Sequence, residues 1–412
     1  MLDRLQFLIS RGLGPISNFG ILTAIGLRFG KAGLADYTYA MVVCATMYFV
    51  VGFSLQTYIA VQPTEVAHRR DILWARLLSV GGSCALALVA ALIGGPLWYV
   101  VAGVWLVKAG ELLFEPVIVF AAIDVSSARR GRDLASMEIV RFLVVQLILW
   151  STNFGLRTSL PATLATTGFG SLFVGVYYLV TYPKWTGPLY DFDEIWLRLR
   201  KIAFQCTPMA ASGAILALVI GLPRLLMDHR LGQDERALMG IAQVGGSVIG
   251  LIFHAIWMYD LHKLKIACRH RKFLEILSHN LRLSMIYGLI LAIASVIVLV
   301  GPDLIELKLV FVRNHAGLLS FLLGIMTLPH CISLHRDVLK LIGVAWLEVL
   351  ILTASLVLGI ATWYVCTYHF ALDWVKVVVA ILIATSIFQF AISVIVLFKM
   401  TQRPILSPWE PE

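Results

Sequence analysis

Apolar runs of about 20 residues recur from one end of this chain to the other. A hydrocarbon core about 30 Å thick needs about 20 apolar residues in helix, so each run predicts one membrane span. We place twelve spans at residues 6–28, 37–60, 72–93, 97–121, 136–154, 162–182, 202–222, 238–259, 281–300, 315–333, 341–364 and 376–399. The prediction is an all-α polytopic membrane protein.

Composition supports this class, because 59% of the 412 residues are hydrophobic and only 14% are charged. The first run contains Pro15 and four glycines and has no small-residue cleavage site, so we expect a retained helix rather than a signal peptide. No CxxC pair occurs among the six cysteines. We therefore expect no disulfide framework, no metal site and no cofactor.

Lysine and arginine are concentrated in alternate connecting segments, including residues 69–70, 129–132, 198–201 and 263–272. The positive-inside rule then places both termini in the cytoplasm. The net charge of +9 follows mostly from this topology, and it does not indicate a nucleic-acid partner.

An internal repeat predicts two halves. Arg28-Phe29-Gly30 at the end of the first span is repeated as Arg230-Leu231-Gly232 after the seventh, at an offset of about 202 residues. Each half would hold six spans, and parallel repeats of this kind enclose a central site. We predict an N-terminal six-helix bundle at 1–185, a cytoplasmic linker at 186–201 and a C-terminal six-helix bundle at 202–412.

Charged residues inside predicted spans are candidates for function, because each costs at least about 2.5 to 3.5 kcal/mol at the bilayer centre. Lys108, Glu111 and Glu115 lie three and four residues apart, on one face of the fourth span. The first two could form a structural salt bridge. Alternatively, Lys108 adds positive potential to a cavity while a carboxylate takes up a coupling proton or sodium ion.

Four further residues carry charge within the spans. Glu138 and Arg141 are three residues apart, so an ion pair within the fifth span is expected. Glu348 has no partner nearby in the sequence and is interpreted as an ion carrier or as a hydrogen-bonded core acid. Arg11 lies near the start of the first span, where snorkelling to the headgroups and a role in a cavity are the alternatives.

Several short stretches carry a resemblance to a known family. They are SRGLG at residues 10–14, RFGKAGLADYTYA at 28–40, and PRLLMDHRLG at 223–232, which is followed by IAQV. The chain resembles the multidrug/oligosaccharidyl-lipid/polysaccharide exporter superfamily, and within it the O-antigen type of polysaccharide flippase. Pro223 is a departure, since many relatives have an aspartate there.

The resemblance implies a flippase of the bacterial inner membrane. By alternating access it would move undecaprenyl-pyrophosphate-linked oligosaccharide repeat units from the cytoplasmic to the periplasmic leaflet, with Arg11 meeting the pyrophosphate. The expected partners are this lipid-linked glycan, the bilayer, a proton or sodium ion, and a polysaccharide polymerase assembly. The candidate substrate-binding cations are Arg11, Arg28, Lys108, Arg141 and Arg224, and the candidate ion-coupling acids are Glu111, Glu115 and Glu348.

Two other functions remain open at this point. A cation-coupled drug antiporter of the same superfamily would share the fold but would need acidic residues in its cavity. A membrane-embedded glycan polymerase or ligase usually has a sizeable periplasmic loop, and the predicted outer loops are short. No nucleotide-binding loop is recognisable, so direct use of ATP is not expected.

Overall fold

The computed structural model describes residues 2–53, 69–124, 127–181, 192–259, 264, 267–268, 270, 272–304, 314–341 and 344–402. Within these ranges, side chains are described except those of 2–12, 15, 118–124, 127–134, 192–193, 195, 251–259, 273, 301–304, 331–337, 340–341 and 400–402. The sequence candidate Arg11 therefore has no described side chain.

The described ranges form eleven long α-helices. They are α1 Leu2–Gly52, α2 Arg69–Gly94, α3 Pro96–Asp124, α4 Ser127–Trp150, α5 Leu160–Thr181, α6 Phe192–Met227, α7 Gln233–Tyr259, α8 Phe273–Leu304, α9 Ala316–Leu341, α10 Ala345–Tyr364 and α11 Trp374–Gln402. Nine stretches among the described residues are long and apolar enough to cross a membrane. The chain is a multi-pass membrane protein.

Helix α1 contains the first predicted span, 6–28, and residues 37–52 of the second, 37–60, whose residues 54–60 lie outside the described ranges. It bends at Gly30, whose φ of 61° and ψ of −151° interrupt an otherwise continuous helix. This left-handed φ favours glycine, which has no Cβ to clash with the backbone. A bend at one residue therefore joins the two predicted spans, and residues 31–36 between them are helical.

The chain divides into two compact units, Met1–Ala217 and Leu218–Glu412. In the first unit, α3 packs against α2 and α5, and α1 packs against α4 and α3. In the second unit, α9 packs against α7, α8 and α11, while α10 packs against α11. Helix α6 begins at Phe192, inside the segment 186–201 that was predicted as a linker. The predicted boundaries of the two bundles stay a prediction.

Small residues bring the backbones of α3 and α5 together. A Cβ placed on Gly110 would lie 2.4 Å from the carbonyl carbon of Ser171, and one placed on Gly168 would lie 3.1 Å from the nitrogen of Val107. The Ser171 hydroxyl donates to the Val107 carbonyl at 3.0 Å. Close contacts of this kind are the usual basis of helix association in membranes, where lipid is as apolar as the side chains.

Replacing Gly110 by valine is expected to destabilise the first unit by about 1 to 3 kcal/mol, because the added atoms force α3 away from α5. The melting temperature of the purified protein measures this loss. Gly81→Val is the matched control, since a Cβ on Gly81 meets nothing within 4 Å. Equal shifts for the two variants would show that the close approach of α3 and α5 is unimportant.

Helices α4 and α10 end in the same way. Each runs into a five-residue π-turn, Ser151–Gly155 after α4 and Val365–His369 after α10. In each, the first N–H beyond the turn donates to the first carbonyl of the turn, at 2.9 and 3.2 Å. A non-glycine residue with positive φ then follows, Arg157 at 53° and Ala371 at 48°.

The two repeated arginines contact these endings. Arg28 Nη2 donates to the carbonyl oxygen of Thr158, just after the first π-turn, at 3.1 Å. The guanidinium carbon of Arg230 lies 5.0 Å from the ring centroid of Tyr368, within the second π-turn. This likeness between equivalent positions agrees with the repeat expected at these arginines.

Candidate functional site

A cluster of charged side chains lies where α1, α3 and α4 pack together. Lys108 Nζ is 2.9 Å from Glu111 Oε2, one turn later on α3, and donates to Asn18 Oδ1 of α1 at 3.1 Å. Only 8% of Lys108 and 7% of Asn18 is exposed. The salt bridge expected between Lys108 and Glu111 is confirmed, and through Asn18 it also joins α3 to α1.

Arg141 extends the cluster to α4. Its Nε donates to Glu138 Oε2 at 2.9 Å, which confirms the expected pair within this helix. Its Nη1 lies 3.6 Å from Glu111 Oε1. The Glu111 carboxylate is therefore shared, with one oxygen facing Lys108 and the other facing Arg141. Gly14 of α1 makes room for the guanidinium, since a Cβ there would lie 3.1 Å from Arg141 Nη2.

A second buried ion pair links α2, α3 and the end of α1. Arg76 Nη2 lies 2.5 Å from Glu115 Oε2, and Arg76 Nη1 donates to the Gly52 carbonyl at 3.0 Å. Arg76 is fully buried. It was absent from the predicted site residues, although a cation inside the predicted span 72–93 is a signal that could have identified it.

The charges of these three ion pairs balance one another. Three cations, Arg76, Lys108 and Arg141, face three carboxylates, Glu111, Glu115 and Glu138. Buried charges need such partners, because an uncompensated ion in a low-dielectric interior is costly. When all three carboxylates are ionised, these six groups carry no surplus charge, and protonation of one carboxylate leaves a surplus of one positive charge.

Polar side chains of α4 and of the π-turn that follows it hold the first part of α1 along its length. Gln146 Nε2 donates to both the carbonyl and the hydroxyl of Ser17, each at 3.1 Å. Asn153 Nδ2 donates to the carbonyl of Ala24 at 2.8 Å. These bonds, together with the Arg28 contact to Thr158, fix α1 beside α4 and so place Asn18 next to Lys108.

The other predicted cations lie in different surroundings. Arg28 is near the bend of α1, with its guanidinium carbon 5.2 Å from the ring centroid of Phe29. Arg224 lies in the second unit and is buried; its Nε is 3.2 Å from Asp228 Oδ1, and its Nη1 donates to the Arg236 carbonyl at 2.5 Å. Lys108 and Arg141 are thus brought together in one unit, and Arg224 belongs to the other.

Glu348 is fully buried on α10 in the second unit. The same face of α10 carries Ser355, whose hydroxyl donates to the Thr385 carbonyl of α11 at 3.4 Å. Gln389 Nε2 donates to the Ser355 hydroxyl at 2.8 Å. The sequence interpretation did not foresee this polar contact between α10 and α11. Among the described residues, no group of three or more His, Cys, Asp or Glu is arranged to hold a metal ion.

No protein-family model and no curated protein matches the chain. Solved structures do. The chain is similar to an outward-facing multidrug resistance MATE family transporter of the MOP superfamily, with 11% identity and a TM-score of 0.65 over 97% of this chain and 95% of that one. It is also similar to an inward-facing structure so described, with 11% identity and a TM-score of 0.61 over 98% and 96%.

A eukaryotic MATE transporter is similar at the same level, with 11% identity and a TM-score of 0.61 over 97% of this chain and 96% of that one. These likenesses confirm the predicted fold class, an all-α polytopic membrane protein with about twelve spans in two six-helix bundles. The chain has the fold of MATE family transporters of the MOP superfamily, the multidrug/oligosaccharidyl-lipid/polysaccharide exporters that its sequence resembles.

Proposed function

We propose that this chain is an exporter that works by alternating access, couples transport to a cation, and uses Glu111 as the coupling carboxylate. The observation that carries the proposal is the sharing of Glu111 between Lys108 of α3 and Arg141 of α4. A proton on Glu111 would cancel the charge that holds both cations. It would therefore loosen α3 from α4 and change the position of Lys108 beside Asn18.

Transport is favoured over enzymatic activity, because the solved structures of similar fold are transporters. Structures of the same fold occur in outward-facing and inward-facing conformations, the two states that alternating access requires. A glycan polymerase or ligase would need neither state. We place the transporter in the inner membrane, as the resemblance implies, with both termini in the cytoplasm, as the distribution of lysine and arginine predicts.

An amphipathic organic cation is the substrate class that the charge balance favours. A buried carboxylate can bind either a proton or a cationic substrate. Because it cannot bind both at once, binding of one requires release of the other, and this coupling is what exchange of the two needs. The two cations proposed to bind an anionic headgroup in the first unit, Lys108 and Arg141, already face carboxylates. Glu348, buried in the second unit, is a second candidate for the coupling ion.

The lipid-linked oligosaccharide flippase is the second candidate, and Arg28 is the observation that favours it. Among the described residues its guanidinium contacts a carbonyl and a ring, and no carboxylate neutralises it. Protonation of Glu111 would also free Lys108 to bind a pyrophosphate, while Arg141 would keep its pair with Glu138. The resemblance assigns the pyrophosphate to Arg11 as well. The partner would then be the undecaprenyl-pyrophosphate-linked glycan, with a polymerase assembly acting on the product.

Transport of a permanently charged dye distinguishes the two candidates. Proteoliposomes with an acidic lumen should accumulate ethidium from outside as protons leave, and an ionophore that collapses the pH gradient should abolish this. No accumulation, together with lipid-linked glycan trapped on the cytoplasmic leaflet of a deletion strain and released by the wild-type gene, would instead establish the flippase. If neither dye accumulation nor release of the lipid-linked glycan is observed, this protein transports neither substrate.

A further inference from the structure

Helix α6 is longer than a membrane span requires. Its 36 residues extend about 54 Å at 1.5 Å per residue, whereas the hydrocarbon core is about 30 Å thick. The first turns of α6 therefore reach into the headgroup layer of the leaflet in which the helix begins.

These first turns expose large apolar side chains on one stripe. Ile202 and Cys206 are buried on the opposite face. The exposed fractions of Trp196, Leu197 and Phe204 are 64%, 72% and 79%. A water-facing helix would not carry three such side chains together, so lipid is the medium that this stripe contacts.

Two cations lie on the same stripe. Arg200 is four residues after Trp196 and four before Phe204, and Lys201 is four residues after Leu197, so each falls in line with the apolar side chains. Both cations are exposed. Within the part of the chain that the structure describes, neither makes an ion pair.

The neighbouring arginine behaves differently. Arg198 turns to the adjacent helix, where its Nη1 lies 3.3 Å from Oδ2 of the buried Asp71 at the start of α2. This contact fixes the rotation of α6 about its own axis. It is the reason that Arg200 and Lys201 are held on the outward stripe, where no carboxylate among the described residues neutralises them.

We propose that Arg200 and Lys201, flanked by Trp196 and Phe204, bind the headgroup of an anionic phospholipid. Their long apolar stems lie along the stripe while their charged ends reach the phosphate layer. Trp196 provides the aromatic surface that is favoured at this depth. Nothing in this site depends on the transported substrate, so it stands or falls separately from the proposed function.

Lipid selectivity tests the proposal. The full chain is reconstituted in nanodiscs of equal phosphatidylglycerol and phosphatidylcholine, and lipids retained after extraction are counted by native mass spectrometry. Wild type should retain phosphatidylglycerol preferentially. The double variant Arg200→Gln with Lys201→Gln should lose about fivefold of this preference for each cation removed. Lys272→Gln is the matched control, because Lys272 is exposed but already paired with Glu275 at 3.0 Å.

Two further measurements keep the test decisive. The exchange Arg200→Lys with Lys201→Arg preserves both charges and should retain the preference, and raising the salt concentration should weaken it in wild type, since exposed charges are screened. An undiminished preference in the double glutamine variant, or in wild type at high salt, would overturn the site. The salt series uses unaltered protein, so it answers the question even where a variant does not fold.

Discussion

Glu111→Gln is expected to abolish proton-driven transport while the protein remains folded. Glutamine keeps the size of the side chain and an oxygen that can accept from Lys108, but it cannot alternate between charged and neutral forms. Loss of a positioned proton-transfer group should lower the rate of dye exchange on the order of 100-fold. The measurement is the initial rate of ethidium uptake into proteoliposomes over a range of lumenal pH, where the variant should show no dependence on pH.

Glu138→Gln is the matched control for this experiment. Glu138 lies 2.9 Å from Arg141, as Glu111 lies 2.9 Å from Lys108, and both acids are in the same cluster. Glu138 does not bridge α3 and α4, however, so its neutralisation leaves the shared carboxylate in place. The control should keep most of the pH-dependent exchange. Undiminished exchange in Glu111→Gln would remove Glu111 from the coupling step, and Glu115 and Glu348 would become the remaining candidates.

The sequence predicted the parts of this cluster that depend on a single helix. A spacing of three residues places Lys108 with Glu111 and Glu138 with Arg141, whatever the surrounding fold. The contacts between helices could not be predicted from the sequence. That Glu111 also faces Arg141 depends on how closely α3 and α4 approach, which is set by packing that no local spacing encodes.

The same distinction explains Arg76 and the bend in α1. Hydropathy identified apolar runs that coincide with helices wherever the structure describes them, because the thickness of the bilayer fixes the length of a span. It could not pair Arg76 with Glu115, since these residues lie on different helices. Nor could it tell a one-residue bend at Gly30 from a short loop, since glycine and nearby polar residues are compatible with both. The substrate could not be predicted either, because proteins of similar fold share only about a tenth of their residues with this chain.

Arg76→Met is expected to cause the largest loss of stability among these variants. Methionine has a similar length but leaves the Glu115 carboxylate without its guanidinium and the Gly52 carbonyl without its side-chain donor. Breaking a buried ion pair on one side typically costs about 3 to 5 kcal/mol, because the remaining charge has lost its compensation. The melting temperature of the purified protein, or the fraction that elutes as a monodisperse peak after heating, measures the loss.

The double variant Arg76→Met with Glu115→Leu separates the charge effect from the packing effect. When both charges are removed, the cost of an uncompensated carboxylate disappears, so most of the lost stability should return. The Gly52 carbonyl still lacks its donor, which should leave a residual deficit of about 1 kcal/mol. If the double variant were as unstable as Arg76→Met alone, the guanidinium would act by filling space between α2 and α3, and the ion pair would not be the reason for its burial.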